Sequence, residues 1–114
     1  MIEEIIYDFL SAKLSTPVKT EIPQKPPLKF YLIEKTGGSQ ANFIKRATVA
    51  IQSYGESLYE ASSLNEILKE TMLAADGLIT LDSIVSVNLS SDYNFTDTTT
   101  KKYRYQAVFE IVHY

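Results

Sequence analysis

The sequence predicts an α+β fold, with an antiparallel or mixed β-sheet of four to five strands and two α-helices packed on one face. Two segments repeat apolar residues at helical spacing, whereas the other apolar segments alternate with a period of two, as strands do. Short connections between successive strands favour antiparallel pairing. With 114 residues, 45% hydrophobic and 22% charged, the chain fits a single domain spanning 1–114.

The first helix is predicted over residues 2–14, where apolar side chains recur on one face. That face is formed by Ile2, Ile5, Ile6, Phe9, Leu10 and Leu14. Pro17 ends the helix, and residues 18–22 are expected to form a short strand. The proline-rich residues 23–27 then form a loop or edge connection, because proline has no N–H to donate to a ladder.

Two strands are predicted at residues 30–35 and 47–54, which are rich in aromatic and β-branched side chains. Residues 36–39, with the sequence TGGS, are expected to form a flexible turn or loop between them. Gly55 ends the second of these strands.

The second helix is predicted to begin at Ser57. Ser57 and Glu60 have the spacing of a capping box, in which each satisfies a backbone N–H at the helix start. The helix is expected to run to about Ala75, and Gly77 is a plausible stop. Its apolar face is expected to comprise Ala61, Leu64, Leu68, Met72 and Ala75, with Ile67 beside them.

Two long strands end the chain, at residues 85–90 and 103–114, and both alternate apolar and polar side chains. The last strand is apolar on much of both faces, which predicts that part of it is buried on both sides. The polar residues 92–102 between the two strands are expected to form a long hairpin with an exposed tip.

No residue pattern is typical of catalysis or of metal binding. The chain has no cysteine, which excludes disulfides, thiolate zinc sites and a cysteine nucleophile. The single histidine, His113, offers no set of base, nucleophile and orienting group. We therefore predict that the protein is not an enzyme and uses no cofactor.

Two segments partly match ligand-binding loops but fail on composition. Residues 36–39 lack the lysine and following serine or threonine that a phosphate-binding loop requires. A calcium loop beginning at Asp92 would need glycine where Asp97 stands and glutamate where Tyr103 stands. Both segments are better interpreted as turns, or as surfaces that face solvent or a partner.

The charge and hydropathy patterns exclude several classes of protein. The net charge is −3, and basic residues adjoin only at Lys45-Arg46 and Lys101-Lys102, which argues against tight DNA binding. No basic region precedes an apolar stretch at the N-terminus, and no apolar run approaches the ~20 residues of a membrane span. These patterns predict a cytoplasmic protein.

Three stretches, in order along the chain, resemble the small tail-terminator or tail-completion proteins of long-tailed bacteriophages and prophages, particularly those of Gram-positive hosts. The first stretch covers residues 34–39, with the sequence EKTGGS. The second covers 47–55, ATVAIQSYG, and continues into 57–61, SLYEA. The third covers 92–97, DYNFTD, followed by 103–109, YRYQAVF. Together with the predicted N-terminal helix, the resemblance spans most of the chain.

The resemblance implies a structural subunit that closes into a ring, expected to be a hexamer, on the last ring of a tail tube. The ring would stop tube growth and form the interface to the head–tail connector protein. Its partners would be further copies of itself, the tail tube protein and the connector, while DNA passes through without being tightly bound. The resemblance implies no enzyme activity, no cofactor and no membrane. The protein would reside in the bacterial cytoplasm during assembly and in the virion tail afterwards.

The surfaces expected to contact neighbours are the polar hairpin over 92–102 and the loop over 36–43. The candidate contact residues are Thr36, Gly37, Gly38, Asp92, Asn94, Asp97, Lys101, Lys102 and Arg104. Tyr and Arg are enriched at interfaces, so the segment Tyr103-Arg104-Tyr105 is either a contact surface or ordinary cross-strand packing.

Two other functions are compatible with the same residues. A neck or head–tail adaptor subunit would differ from a tail terminator only in its partner. A small-ligand-binding regulatory α+β domain would show a concave apolar pocket with a few convergent polar groups, and would form a dimer rather than a ring.

Overall fold

The computed structural model describes residues 2–100 and 102–114. Within them the helices and strands follow the predicted order. The helices are α1 (Ile2–Lys13) and α2 (Leu58–Leu73). The strands are β1 (Val18–Lys19), β2 (Phe30–Ala41), β3 (Ile44–Gly55), β4 (Ile84–Asn94) and β5 (Tyr103–His113). A single 3-10 turn, Leu78–Thr80, follows α2.

The strands form one five-stranded sheet in the order β1-β2-β3-β5-β4. The sheet is mixed, because β1 lies parallel to β2 while all other neighbours pair antiparallel. The predicted fold class is therefore confirmed: an α+β fold with a mixed sheet and two helices. Placing β5 between β3 and β4 puts the chain's last strand in the interior of the sheet.

Both helices contribute to one core on one face of the sheet. The predicted apolar face of α1 is confirmed, with Ile6 and Leu10 fully buried. That of α2 is confirmed for its other members, with Leu68 and Met72 fully buried, but is wrong for Ile67 and Ala75, which are exposed. The partners of the buried helix residues on the strands are Tyr31, Ile33, Val49, Ile51, Phe109 and Ile111. The Tyr31 hydroxyl donates a 2.8 Å hydrogen bond to the carbonyl oxygen of Leu64, and burial raises the pKa of Tyr31 to about 12.

The predicted capping box of α2 is present with one difference. Ser57 Oγ accepts from the backbone N–H of Glu60 at 3.1 Å, as predicted. The Glu60 carboxylate reaches back to the N–H of Glu56, at 2.9 Å, rather than to that of Ser57. The helix ends at Leu73 instead of Ala75, because Ala74 already has an extended backbone with ψ 149°.

The prediction of a loop at residues 36–39 is wrong, since β2 continues through them to Ala41. Only Asn42 and Phe43 form the turn, and both have positive φ angles, 51° and 69°. Two central residues of this kind match the twist of a β-hairpin. Glycine is a poor strand former alone, but pairing with β3 supplies the order that local propensity does not. A bulge interrupts the pairing between Lys35 and Gly37.

Three smaller expectations also change. The strand expected over 18–22 is limited to Val18–Lys19. The hairpin expected over 92–102 is shorter, because β4 continues to Asn94. Strand β5 is fully buried only on its helix-facing side, while side chains such as Val108 on the other side are half-buried.

Candidate assembly surfaces

Two long sheet edges are unpaired in the described part of the chain. Strand β1 covers β2 only at Tyr31 and Leu32, so the outer side of residues 34–41 pairs with no strand. Strand β4 ends the sheet on the other side. Neither edge contains a proline, and β4 has no lysine, but Lys35 lies on the β2 edge and bulges interrupt both strands. Proline, lysine and bulges all commonly limit the pairing of an edge with other chains. Protection of the two edges is therefore only local, and the strand segments between the bulges can accept β-strand addition.

The two open edges lie at the same height along the strands. Across the sheet, Glu34 pairs with Ala50, Ala50 with Val108, and Val108 with Ser91. The opposite end of the sheet is level as well. There Gln40 pairs with Lys45, Lys45 with His113, and His113 with Ile84.

The directions of the edge strands also correspond. Strand β2 is antiparallel to β3, which is antiparallel to β5, which is antiparallel to β4. Strand β4 therefore runs opposite to β2. A second copy in the same orientation can place its β4 antiparallel to the open part of β2, without a shift along the strand axis.

Three predicted contact residues lie on the open β2 edge. Thr36 stands at the bulge, and its hydroxyl donates to the carbonyl oxygen of Thr48 at 3.3 Å. A Cβ added to Gly37 would meet nothing within 4 Å, so this position is open. A Cβ added to Gly38 would lie 2.9 Å from the carbonyl oxygen of Arg46, so only glycine fits there without a shift.

Asp92 lies on β4 but is engaged within the chain. Its carboxylate accepts from Asn65 Nδ2 at 2.6 Å and from the ammonium of Lys69. Lys69 also contacts Glu66, at 2.7 Å, and the hydrogen bonds to Asp92 and then Glu66 raise the pKa of Lys69. These contacts tie α2 to β4. Asn65 is buried, and the spacing of apolar residues gave no signal for it because an amide does not enter that pattern.

Asn94 and Asp97 shape the turn that joins β4 to β5. Asn94 Oδ1 accepts from both the backbone N–H and the hydroxyl of Thr96, at 3.0 and 2.6 Å. Asp97 Oδ1 accepts from the N–H groups of Thr99 and Thr100, at 2.9 and 3.4 Å. Hydrogen bonds from the Thr100 side chain and these backbone groups lower the pKa of Asp97. These hydrogen bonds to Asn94 and Asp97 stabilise the conformation of the turn.

The remaining predicted contact residues are basic. Lys101 lies outside the described residues. Lys102 lines an apolar groove described below. Arg104 is clamped between two aromatic rings, with its guanidinium carbon 4.4 Å from the centre of the Phe95 ring and 5.7 Å from that of Tyr54. Arg104 also donates to the Tyr54 hydroxyl at 2.9 Å and to the Phe95 carbonyl oxygen at 2.7 Å.

A hydrogen-bonded row crosses the sheet face opposite the helices. The Tyr54 hydroxyl donates to Gln52 at 2.8 Å, and Gln52 donates to Gln106 at 2.9 Å. Gln106 donates in turn to the Tyr93 hydroxyl. Because Gln52 and Tyr54 are only 6% and 5% exposed, these bonds satisfy polar groups that burial would otherwise destabilise. Arg104 joins the predicted Tyr/Arg segment to this row, because it donates to the Tyr54 hydroxyl across the strands.

An apolar groove of about 440 Å³ lies at the end of the sheet where β2 begins. Ile22, Pro26 and Leu28 form one wall, and the stacked rings of Phe30 and Tyr54 form another. Glu56 and Lys102 are the charged residues that line it. The groove has the size of small-molecule sites, but few polar groups converge on it.

No group of three or more His, Asp or Glu side chains in residues 2–100 and 102–114 is arranged to hold a metal ion. Over the same residues, neither helix combines the length and the apolar character needed to cross a membrane. Comparison with protein-family models and with curated protein sequences found no match to this chain.

Proposed function

We propose that this chain is a structural subunit of a phage or prophage virion, namely a tail terminator that caps the tail tube as a ring. The ring would also form the interface to the head–tail connector. Support comes from the order of the three stretches that resemble this family and from two sheet edges that no other strand covers in the described residues. The observation that carries the proposal is the match in height and direction between the two edges.

The edges suit a ring because they are different surfaces on opposite sides of the subunit. A head-to-tail contact joins one patch to a different patch, so each copy can bind two neighbours. Such a contact closes into a ring if successive copies return to the start, and otherwise produces a filament. Since Glu34 is level with Ser91, pairing adds no rise along the strands. A contact without rise is what a closed ring requires, whereas a rise per copy gives a helical filament. Six copies is the number that the resemblance implies.

Capping the tube would rest on a difference of affinities. The ring must bind the tube end more strongly than another tube ring does, and must offer no matching surface to the next tube ring. The net charge of −3 agrees with a ring through which DNA passes without being held. In this proposal the protein works as an assembly part, without catalysis.

Engineered cysteines test the edge pairing directly, because the chain contains none of its own. The double variant Glu34→Cys/Ser91→Cys places the thiols at the same height on opposite edges. Within one copy three strand spacings separate them, roughly 14 Å. Two thiols that far apart cannot form a disulfide, so every disulfide must join two copies. We expect a ladder of covalent multimers that ends at the ring's copy number.

The matched control is Glu34→Cys/Ser86→Cys, which uses the same edges at different heights. It should cross-link several-fold less on non-reducing gels. Light scattering and negative-stain images of the protein mixed with tail tube should show rings at tube ends. Equal cross-linking of both variants, or a monomer that leaves tube length uncontrolled, would overturn the proposal.

The apolar groove favours a second candidate, a small-ligand-binding domain. A site of about 440 Å³ with aromatic walls could hold a compact apolar ligand. The same light-scattering measurement separates the two functions, because the ligand-binding domain is expected to be a dimer.

A neck adaptor subunit would assemble like a terminator but bind the connector instead of the tube.

A further inference from the structure

We propose that the aromatic end of strand β4 in one copy docks on the apolar residues 20–29 of the next copy. The docking residues are Tyr93 and Phe95, and the residues they cover are Ile22 and Leu28. This inference rests on the proposed ring and identifies a second contact within it.

The receiving segment exposes more apolar surface than a connection needs. Residues 20–29 join β1 to β2 without regular structure, and Leu28 is 74% exposed and Ile22 52% exposed. Both side chains line the groove beside Phe30. Because prolines stiffen this segment, ordering it on binding costs little conformational entropy.

The aromatic end of β4 is exposed and already held in place. Tyr93 and Phe95 are 41% and 38% exposed, and their rings meet edge to face at 5.8 Å. Arg104 packs over the Phe95 ring, and Gln106 donates to the Tyr93 hydroxyl. Rigid aromatic side chains of this kind commonly dominate binding energy at interfaces.

The edge pairing determines where the aromatic side chains of Tyr93 and Phe95 lie on the next copy. With Ser91 of one copy beside Glu34 of the next, the following residues of β4 come level with Ile33 and Leu32. Strand β1 already occupies that part of the β2 edge. The end of the neighbour's β4 must therefore pass outside β1, beside Lys19 and the residues before it. The groove that contains Ile22 and Leu28 lies at this height, because Phe30 lines it.

The aromatic side chains of Tyr93 and Phe95 lie on the same face of the sheet as the groove beside residues 20–29. Tyr93 is aligned with Gln106, Gln52 and Leu32 across the strands, on the face opposite the helices. The groove uses Phe30 and Tyr54 on that face. Edge pairing thus brings two exposed apolar surfaces together on the same face of the joined sheets.

Mixing two single-cysteine proteins tests this contact. Leu28→Cys and Tyr93→Cys, each prepared separately and then mixed, should be joined by a short bifunctional maleimide into a mixed dimer. Such a product can form only between copies. The matched control mixes Tyr59→Cys with Tyr93→Cys, because Tyr59 is even more exposed, at 83%, but lies at the start of α2. We expect several-fold more product from the first mixture.

The edge variant Glu34→Cys/Ser91→Cys, measured in parallel, separates the two proposals. If it cross-links while Leu28 and Tyr93 give no more product than the control, the docking inference is wrong and the ring stands. If neither cross-links, the ring and the inference both fail. Cross-linking of both pairs supports the two contacts together.

Discussion

Gly55, the last residue of β3, lies so close to α2 that no side chain fits. A Cβ added there would lie 2.6 Å from the backbone nitrogen of Ala61, which is fully buried. Neither the strand nor the helix can retreat without disturbing the core. We predict that Gly55→Ala lowers the free energy of unfolding by about 1–3 kcal/mol, as overpacking typically does, measured by urea denaturation.

Gly37→Ala is the matched control, because nothing lies within 4 Å of its added Cβ. This substitution should change the free energy of unfolding by no more than about 0.5 kcal/mol. Equal losses at the two positions would show that glycine's backbone freedom, rather than the contact with Ala61, matters at Gly55.

Hydrogen bonds between residues close in sequence could be predicted, whereas the burial of polar side chains could not. Ser57 and Glu60 are recognisable because capping depends on a fixed spacing along the chain. Gln52 and Asn65 are buried because of partners 54 and 27 residues away. No local pattern encodes such partners, so the sequence alone gave no reason to place either amide in the interior.

At the scale of elements, Asp92 connects α2 to an edge strand that otherwise has a neighbour on only one side. Replacing it with alanine leaves the buried Asn65 amide without its acceptor and Lys69 without one of its two carboxylate partners. We predict that Asp92→Ala lowers the free energy of unfolding by about 1–3 kcal/mol, measured by chemical denaturation.

The control for Asp92→Ala is Asp8→Ala, the same substitution on the exposed side of α1. It should alter stability by no more than about 0.5 kcal/mol. A Lys69→Met variant should lose less stability than Asp92→Ala, because it leaves the hydrogen bond from Asn65 to Asp92 in place. Equal effects for all three variants would contradict the role given to Asn65.

The helices were predicted more accurately than the strand ends, for a physical reason. Helical hydrogen bonds are local, so caps and apolar spacing largely define α1 and α2. Strand ends depend on the partner strand. Residues 36–39 look like a loop because of Gly37 and Gly38, yet β3 runs alongside them and extends β2 to Ala41.

At the scale of the whole molecule, Tyr31 links the sheet to α2 and makes the free energy of unfolding depend on pH in the alkaline range. Burial raises its pKa from the ordinary value of 10.0 to about 12. The folded state therefore holds the phenolic proton more tightly than the unfolded state. The resulting contribution is fully present below pH 10 and is lost as the pH rises towards 12.

We predict that Tyr31→Phe is less stable than the natural protein at pH 8, because the hydrogen bond to Leu64 is lost. The difference should shrink, by on the order of 2 kcal/mol, as the pH rises from 10 to 12. Urea denaturation of both proteins at several pH values measures it. A difference that stays constant across this range would contradict the prediction.

The fold class could be predicted from the order of elements, but the strand order could not. Apolar periodicity identifies strands one at a time, and the resemblance gave no pairing. Inserting β5 between β3 and β4 depends on contacts between residues as distant as Lys45 and His113. The candidate contact segments stay a prediction, and only the strand pairing shows that residues 34–41 of β2 and strand β4 each lack a neighbour on one side.

Under the proposed edge pairing, the two unlike edges have a consequence for how the number of copies is controlled. A linear row of n copies has n − 1 contacts and always leaves one β2 edge and one β4 edge empty. Closing the row adds a contact without immobilising another molecule, so it avoids the translational and rotational entropy that each earlier step lost. Intermediate rows should therefore be scarce, and completed rings should appear abruptly above a threshold concentration.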